Sequence, residues 1–208
     1  MARQTRQRIL DASLAMFNEQ GEPNVTTNHI ADELEISPGN LYYHFRNKDD
    51  IIEQLFARYE ERMDTALVAP EGRLRDLEDI WLQLHLVFEA IWDYRFLYRD
   101  LVDILSRNRR LRLRFARILK RAADNATSGM RGLVQAGVMR ASAAEVEATA
   151  TNILVLATFW LNYASVRGDR DEHEAIRAGI VQVMMLLSPL LRDAERLHLN
   201  NLTQAYRQ

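Results

Sequence analysis

The residues best able to do chemistry stand close together between Val25 and Asp50. Asn40, Tyr42, Tyr43 and His44 are interleaved with two large apolar residues, Leu41 and Phe45. An asparagine can pair bidentately with adenine, and a tyrosine can contact phosphate or rest on a thymine methyl or a sugar. Gly39 lets a backbone approach closely. Lys48 sets a positive charge beside free helix amides, a combination that suits a phosphate. Arg3, Arg6 and Arg8 can reach the same backbone or a minor groove. The plainer alternative is a small three-helix core built on Ile30, Leu34, Leu41, Phe45 and Ile51. A bland surface, however, would choose Glu, Lys and Gln over two adjacent tyrosines, a histidine and an asparagine.

Local signals predict the elements that position this group. Thr26 can cap a helix, with Val25 and Ile30 as a hydrophobic staple across its start. Ile30, Ala31 and Leu34 give that short helix one apolar face. Ser37 is a second N-cap, Pro38 sits at N1 where no amide is needed, and Ile36 and Leu41 form another staple. Leu41 and Phe45 stand four apart and turn inward together. Asn47 caps a third helix, with Asp49 and Asp50 in its first turn, where the helix dipole favours acids. Two short helices joined by a turn of about three residues, braced by a helix on each side, make a helix-turn-helix.

The run Thr27-Asn28-His29-Ile30-Ala31, followed by Ser37-Pro38-Gly39-Asn40-Leu41-Tyr42-Tyr43-His44-Phe45-Arg46-Asn47-Lys48 and Asp49-Asp50-Ile51, resembles the signature of TetR-type regulators. The specific part is the segment from Leu41 to Lys48. The resemblance implies DNA contacts at Thr27, Asn28, Ser37, Gly39, Asn40, Tyr42, Tyr43, His44 and Lys48. It also implies a sequence-specific regulator, a homodimeric repressor released from double-stranded operator DNA by a small-molecule effector in the cytoplasm. One position departs from the pattern: the family's turn glycine is replaced by Glu35. A positive φ there would cost about 1 kcal/mol, so the turn is either slightly strained or differently shaped.

Beyond the motif, apolar residues recur at helical spacing nearly everywhere and no strict alternation suggests a strand. The class is all-α: an N-terminal three-helix DNA-binding domain over residues 1–50, then a helical ligand-binding and dimerisation domain over residues 51–208. Helices are predicted at Gln4–Gln20, Lys48–Val68, Leu74–Asp93, Phe96–Arg107, Arg109–Ala136, Ala143–Val166, Glu172–Leu187 and Pro189–Tyr206. Pro70 and Gly72 break the chain, Gly137 fits a helix stop, and Gly168-Asp169 makes a turn. Ser142 and Glu145 form a capping box.

Trp81, His85, Phe88 and Trp92 share one stripe at spacings of four, three and four. They either line a ligand cavity with His85 as its polar handle or are ordinary core. Phe159, Trp160 and Tyr163 are further cavity candidates. Ile176, Ile180, Val183, Met184 and Leu187 form a stripe that serves either a four-helix dimer interface, as the resemblance implies, or the chain's own core. From Arg107 to Arg121 the chain carries eight basic residues and no acid. That run is either a solvated face or an attraction for an anionic ligand.

Composition narrows the remaining classes. The chain has 208 residues, 48% of them hydrophobic, and no cysteine, so neither a disulfide framework nor a thiolate metal site is expected. A net charge of −2 does not announce a nucleic-acid binder, and residues 1–50 carry five basic side chains against eight acidic ones. Any DNA contact must therefore come from local placement of charge. No paired carboxylates, Gly-rich phosphate loop, nucleophile elbow or His-x-x-x-His pair suggests an enzyme, a metal or a cofactor. No signal peptide is expected. The uncharged stretch 148–166 contains too many Thr and Asn residues to read as a membrane span.

Overall fold

The computed structural model describes residues 2–69, 73–168 and 172–204, almost all of them helical. The predicted break at Pro70 and Gly72, the turn residue Asp169 and the predicted helix end at Tyr206 lie outside the described residues. The helices are α1 (Ala2–Gln20), α2 (Thr27–Glu33), α3 (Pro38–His44), α4 (Lys48–Ala66), α5 (Leu77–Asp93), α6 (Arg95–Arg99), α7 (Leu101–Arg107), α8 (Arg109–Gln135), α9 (Ala143–Arg167), α10 (Glu172–Leu187) and α11 (Asp193–Gln204). The chain divides into two compact units, Met1–Arg62 with Asp93–Arg114, and Met63–Trp92 with Phe115–Gln208.

In the first unit, Ile9, Phe17, Val25, Ile30, Leu41, Phe45, Ile51, Leu55, Phe56 and Tyr59 are buried. Each fully buried side chain of this size contributes about 1.5–3 kcal/mol. Leu34, predicted to join them, is only half-buried. Asn18 fastens the later segment of the unit to the end of α1. Its Nδ2 donates to the Asp93 carbonyl at 2.8 Å, and its Oδ1 accepts from the Phe96 amide at 3.1 Å. The hydroxyls of Tyr59 and Tyr98 meet at 2.5 Å in the interior, and burial holds both well above the ordinary tyrosine pKa. The predicted helix Phe96–Arg107 is two helices. Asp100 leaves helical geometry between them, and its carboxylate accepts from the Glu22 amide at 3.0 Å.

In the second unit, α5 starts at Leu77 rather than Leu74, because Asp76 and Asp79 cap its first turn reciprocally at 2.9 and 3.0 Å. The predicted helix from Pro189 is also interrupted. Residues Ser188–Leu190 form a 3₁₀ turn, Leu191 is extended, and α11 begins at Asp193. Leu191 makes an isolated bridge with Met139, flanked by bonds from Arg140 N to Leu190 O (2.8 Å) and from Arg192 N to Val138 O (3.2 Å).

Helices α9 and α10 pack together at a close approach over Gly179. A Cβ there would lie 2.6 Å from Trp160 and 2.7 Å from Phe88. This packing favours the chain's own core as the role of the α10 stripe. Ile180, Val183, Met184 and Leu187 are at most 2% exposed within the single chain, and Ile176 is half-buried. The four have almost no accessible area left to bury against a second copy. On α9 several large apolar side chains are left open, at Val155 (56% exposed), Phe159 (47%), Tyr163 (55%) and Val166 (90%).

Several cations of the basic run are paired with acids. Arg110 pairs with Glu53 and Arg114 with Glu60 in the first unit; Arg121 pairs with Asp64 and Lys120 with Asp124 in the second. Acids on α4 thus meet three of these cations. No helix among the described residues is long and apolar enough to cross a membrane.

Candidate nucleic-acid interface

The local signals around α2 and α3 are realised atom by atom. Thr26 Oγ1 accepts from the His29 amide at 3.2 Å, and His29 Nδ1 accepts from the Thr26 amide at 3.4 Å. Ser37 Oγ accepts from the Asn40 amide at 3.2 Å, with Pro38 at the first helical position. Asn47 Oδ1 accepts from the Asp50 amide at 2.8 Å, which starts α4. The turn between α2 and α3 places Glu35 at φ 54°. The glycine-like conformation is kept without the glycine, at a cost of about 1–2 kcal/mol.

With Leu41 and Phe45 buried, the rest of α3 has a fixed outward set. Asn40, Tyr42 and Tyr43 are exposed, Tyr43 by 79%. Gly39 and Asn28 are open as well, and Thr27 and His44 are half-buried. Thr27 Oγ1 and the Tyr42 hydroxyl hydrogen-bond at 2.9 Å, so α2 holds one recognition-helix ring in place before any partner arrives. The rings of Tyr43 and His44 meet nearly at right angles, 5.1 Å between centroids. Ser37 is exposed, but its hydroxyl is occupied as the cap. Arg3 and Arg8 are open. Arg6 instead stacks its guanidinium over Phe45 at 4.9 Å and so supports the last turn of α3.

The Lys48 ammonium faces inward. It donates to the Glu22 and Val25 carbonyls, each at 3.0 Å, and forms an ion pair with Glu22 Oε1 at 2.8 Å. Glu22 itself, missed by sequence reasoning, is fully buried, and its other oxygen pairs with Arg107 at 2.5 Å. Its partners lie 26 and 85 residues away, a separation no local pattern reveals. Burial raises the pKa of nearby Asp100, whose hydrogen bond from the Glu22 amide opposes that shift.

Of the seven predicted cavity residues, Phe88 and Trp160 meet at Gly179. Trp81 and His85 stack at 5.9 Å, and His85 Nε2 lies 3.2 Å from Glu89 Oε1. Phe88 is buried against Gly179, opposite Trp160, whose Nε1 donates to the Ala175 carbonyl at 2.5 Å. Trp92 is half-buried. Phe159, Trp160 and Tyr163 line an open groove of about 440 Å³ with Val155 and Gln182.

Comparison with known proteins agrees with this geometry. The solved structure of a TetR-family transcriptional regulator from Marinobacter aquaeolei VT8 superposes with a TM-score of 0.89 at 38% identity, over 98% of this chain and 99% of that one. The SmeT–triclosan complex has the same fold, with a TM-score of 0.61 at 21% identity over 92% of this chain and 93% of that one. The HTH-type transcriptional regulator TtgW of Pseudomonas putida is 32% identical over 79 residues, which cover 38% of this chain and 59% of TtgW. The chain thus spans less than two thirds of that curated relative. The family described as "Bacterial regulatory proteins, tetR family" matches residues 9–55, and that described as "Bacterial transcriptional repressor" matches residues 58–199. With a helix-turn-helix in the first match and more than half of its length in the second, the chain belongs to the TetR family of bacterial transcriptional regulators.

Proposed function

We propose that this regulator is a homodimeric repressor that reads operator DNA through α3 and is released by a small-molecule effector. The carrying observation is the outward set on α3, fixed by the burial of Leu41 and Phe45. Asn40 is the base reader. Tyr42, Tyr43, Thr27, Asn28 and His44 contact backbone, sugar or thymine methyls, and Gly39 permits the close approach. Lys48 contributes its amide to a phosphate and uses its ammonium internally. Residues 1–50 hold more acids than bases, and Asp32, Glu33 and Glu35 are all exposed. Binding is therefore of modest strength and falls as salt rises. A DNA-reading regulator works where the chromosome lies, in the cytoplasm.

The dimer is built on the outer face of α9. Val155, Phe159, Tyr163 and Val166 fall on one face of that helix, and a second copy can cover them isologously. Two recognition helices then meet half-sites about 34–36 Å apart on a palindrome. The effector is held in the second unit, with the stacked Trp81 and His85 as its first contacts. A TetR-fold protein in complex with triclosan supports a small molecule as the signal.

Selection of duplexes from a random library by the purified protein, followed by mobility shift, tests the reading. The expected result is a palindromic consensus whose binding weakens as salt rises. A protein that enriches no duplex at low ionic strength overturns it.

A further inference from the structure

The Glu22 carboxylate is 0% exposed, yet it carries two cations from distant parts of the chain. Oε1 holds Lys48, the first residue of α4, immediately after the recognition helix. Oε2 holds Arg107, the last residue of α7. The Glu22 amide donates to Asp100 at the α6–α7 junction, and Asp103 lies 3.6 Å from Arg107 Nε. None of these groups except Lys48 belongs to the surface proposed to meet DNA.

A buried carboxylate with two partners is costly to disturb. Moving one cation leaves a desolvated charge partly uncompensated, so the three groups have few alternative arrangements. The position of Arg107 in the sequence adds a second consideration. After Arg107 the backbone breaks at Asn108, and α8 then runs from Arg109 to Gln135, with Phe115 onward counted in the other compact unit. Arg107 is thus the last helical residue before α8, the helix whose sequence continues into the second unit.

We propose that Glu22 and Arg107 are positioning residues for operator recognition, forming with Lys48 a buried ionic clasp that ties the α7–α8 junction to the start of α4. The clasp sets the position of α4, and hence of α3, without touching DNA. Because binding couplings are reciprocal, an operator that holds α3 also holds α7 through the same carboxylate. This inference rests on the proposed reading of DNA by α3, and its test separates the two.

The probe is a duplex enriched by the wild-type protein from a random library. Arg107→Met, checked by circular dichroism and melting, is expected to bind that duplex about tenfold more weakly, within the usual range of coupling between sites. Arg107→Lys, which keeps the charge, is expected to recover most of the loss. In wild type, adding the duplex is expected to slow hydrogen exchange of the α7 amides, and in Arg107→Met that slowing disappears. A purely packing role would lower the melting temperature and leave both affinity and the α7 response unchanged. If Arg107→Met does not fold, the wild-type exchange measurement decides alone. A folded Arg107→Met with wild-type affinity, or a wild-type α7 indifferent to duplex, overturns the clasp while DNA reading stands. Failure of wild type to enrich any duplex removes both.

Discussion

The α2–α3 segment and the α9–α10 pair are both helical, both rich in apolar residues and both tied to a proposed surface, yet they specify their faces differently. In α2–α3, each seven-residue helix starts at a hydroxyl cap and has little length over which to rotate. Fixing the start and one or two anchors fixes every outward residue. Helices α9 and α10 are 25 and 16 residues long, and α9 carries apolar residues on more than one side. There the inward face is chosen by the partner helix, through the close approach at Gly179, and not by any local signal. Capping determines orientation where helices are short; interlocking determines it where they are long.

Substitutions can break this contrast or sharpen it, and the largest effect is expected at Met184. If the α10 stripe is core, Met184→Asp buries an unpaired charge and unfolds the second unit, a loss of about 4 kcal/mol or more. A folded Met184→Asp monomer would instead return the dimer face to α10. Phe159→Asp is expected to keep the helical circular dichroism signal while converting the proposed dimer to monomer in sedimentation equilibrium, with loss of binding to a two-half-site duplex. A dimer that survives it moves the interface off α9. Asn40→Ala is expected to leave the fold intact and relax preference at one base pair by about 1–3 kcal/mol, read from competition among single-base variants of the selected duplex. The smallest effect belongs to Glu35→Gly, which relieves a positive φ and should gain up to about 1 kcal/mol in denaturant unfolding, offset in part by the freedom of glycine in the unfolded chain. Destabilisation by this change would mean the Glu35 side chain does something its backbone does not reveal.

The helix-turn-helix was legible because its determinants are neighbours in sequence. Thr26 with His29, Ser37 with Asn40 and Asn47 with Asp50 are each three residues apart. The features that escaped depend on distant partners. Asp100 interrupts a helix because its carboxylate receives the Glu22 amide, 78 residues away. Lys48 turns inward because a buried acid waits there. Leu191 is extended because Met139 offers it a bridge. On α9, Phe159 and Trp160 are adjacent and alike in sequence, but only Trp160 finds a carbonyl across the interface with α10, so one ring goes in and the other stays out.

The short bridge between Met139 and Leu191 gives the second unit a property of its own. The backbone departs near Arg140 and returns near Leu190, so everything between them, α9 and α10 included, is an excursion clasped at its neck by main-chain bonds. Such a closed excursion tends to open and reclose as one cooperative piece. Opening the neck would loosen the outer stripe of α9 and the inner stripe of α10 in a single event, so pairing between subunits and the integrity of this hairpin would rise and fall together.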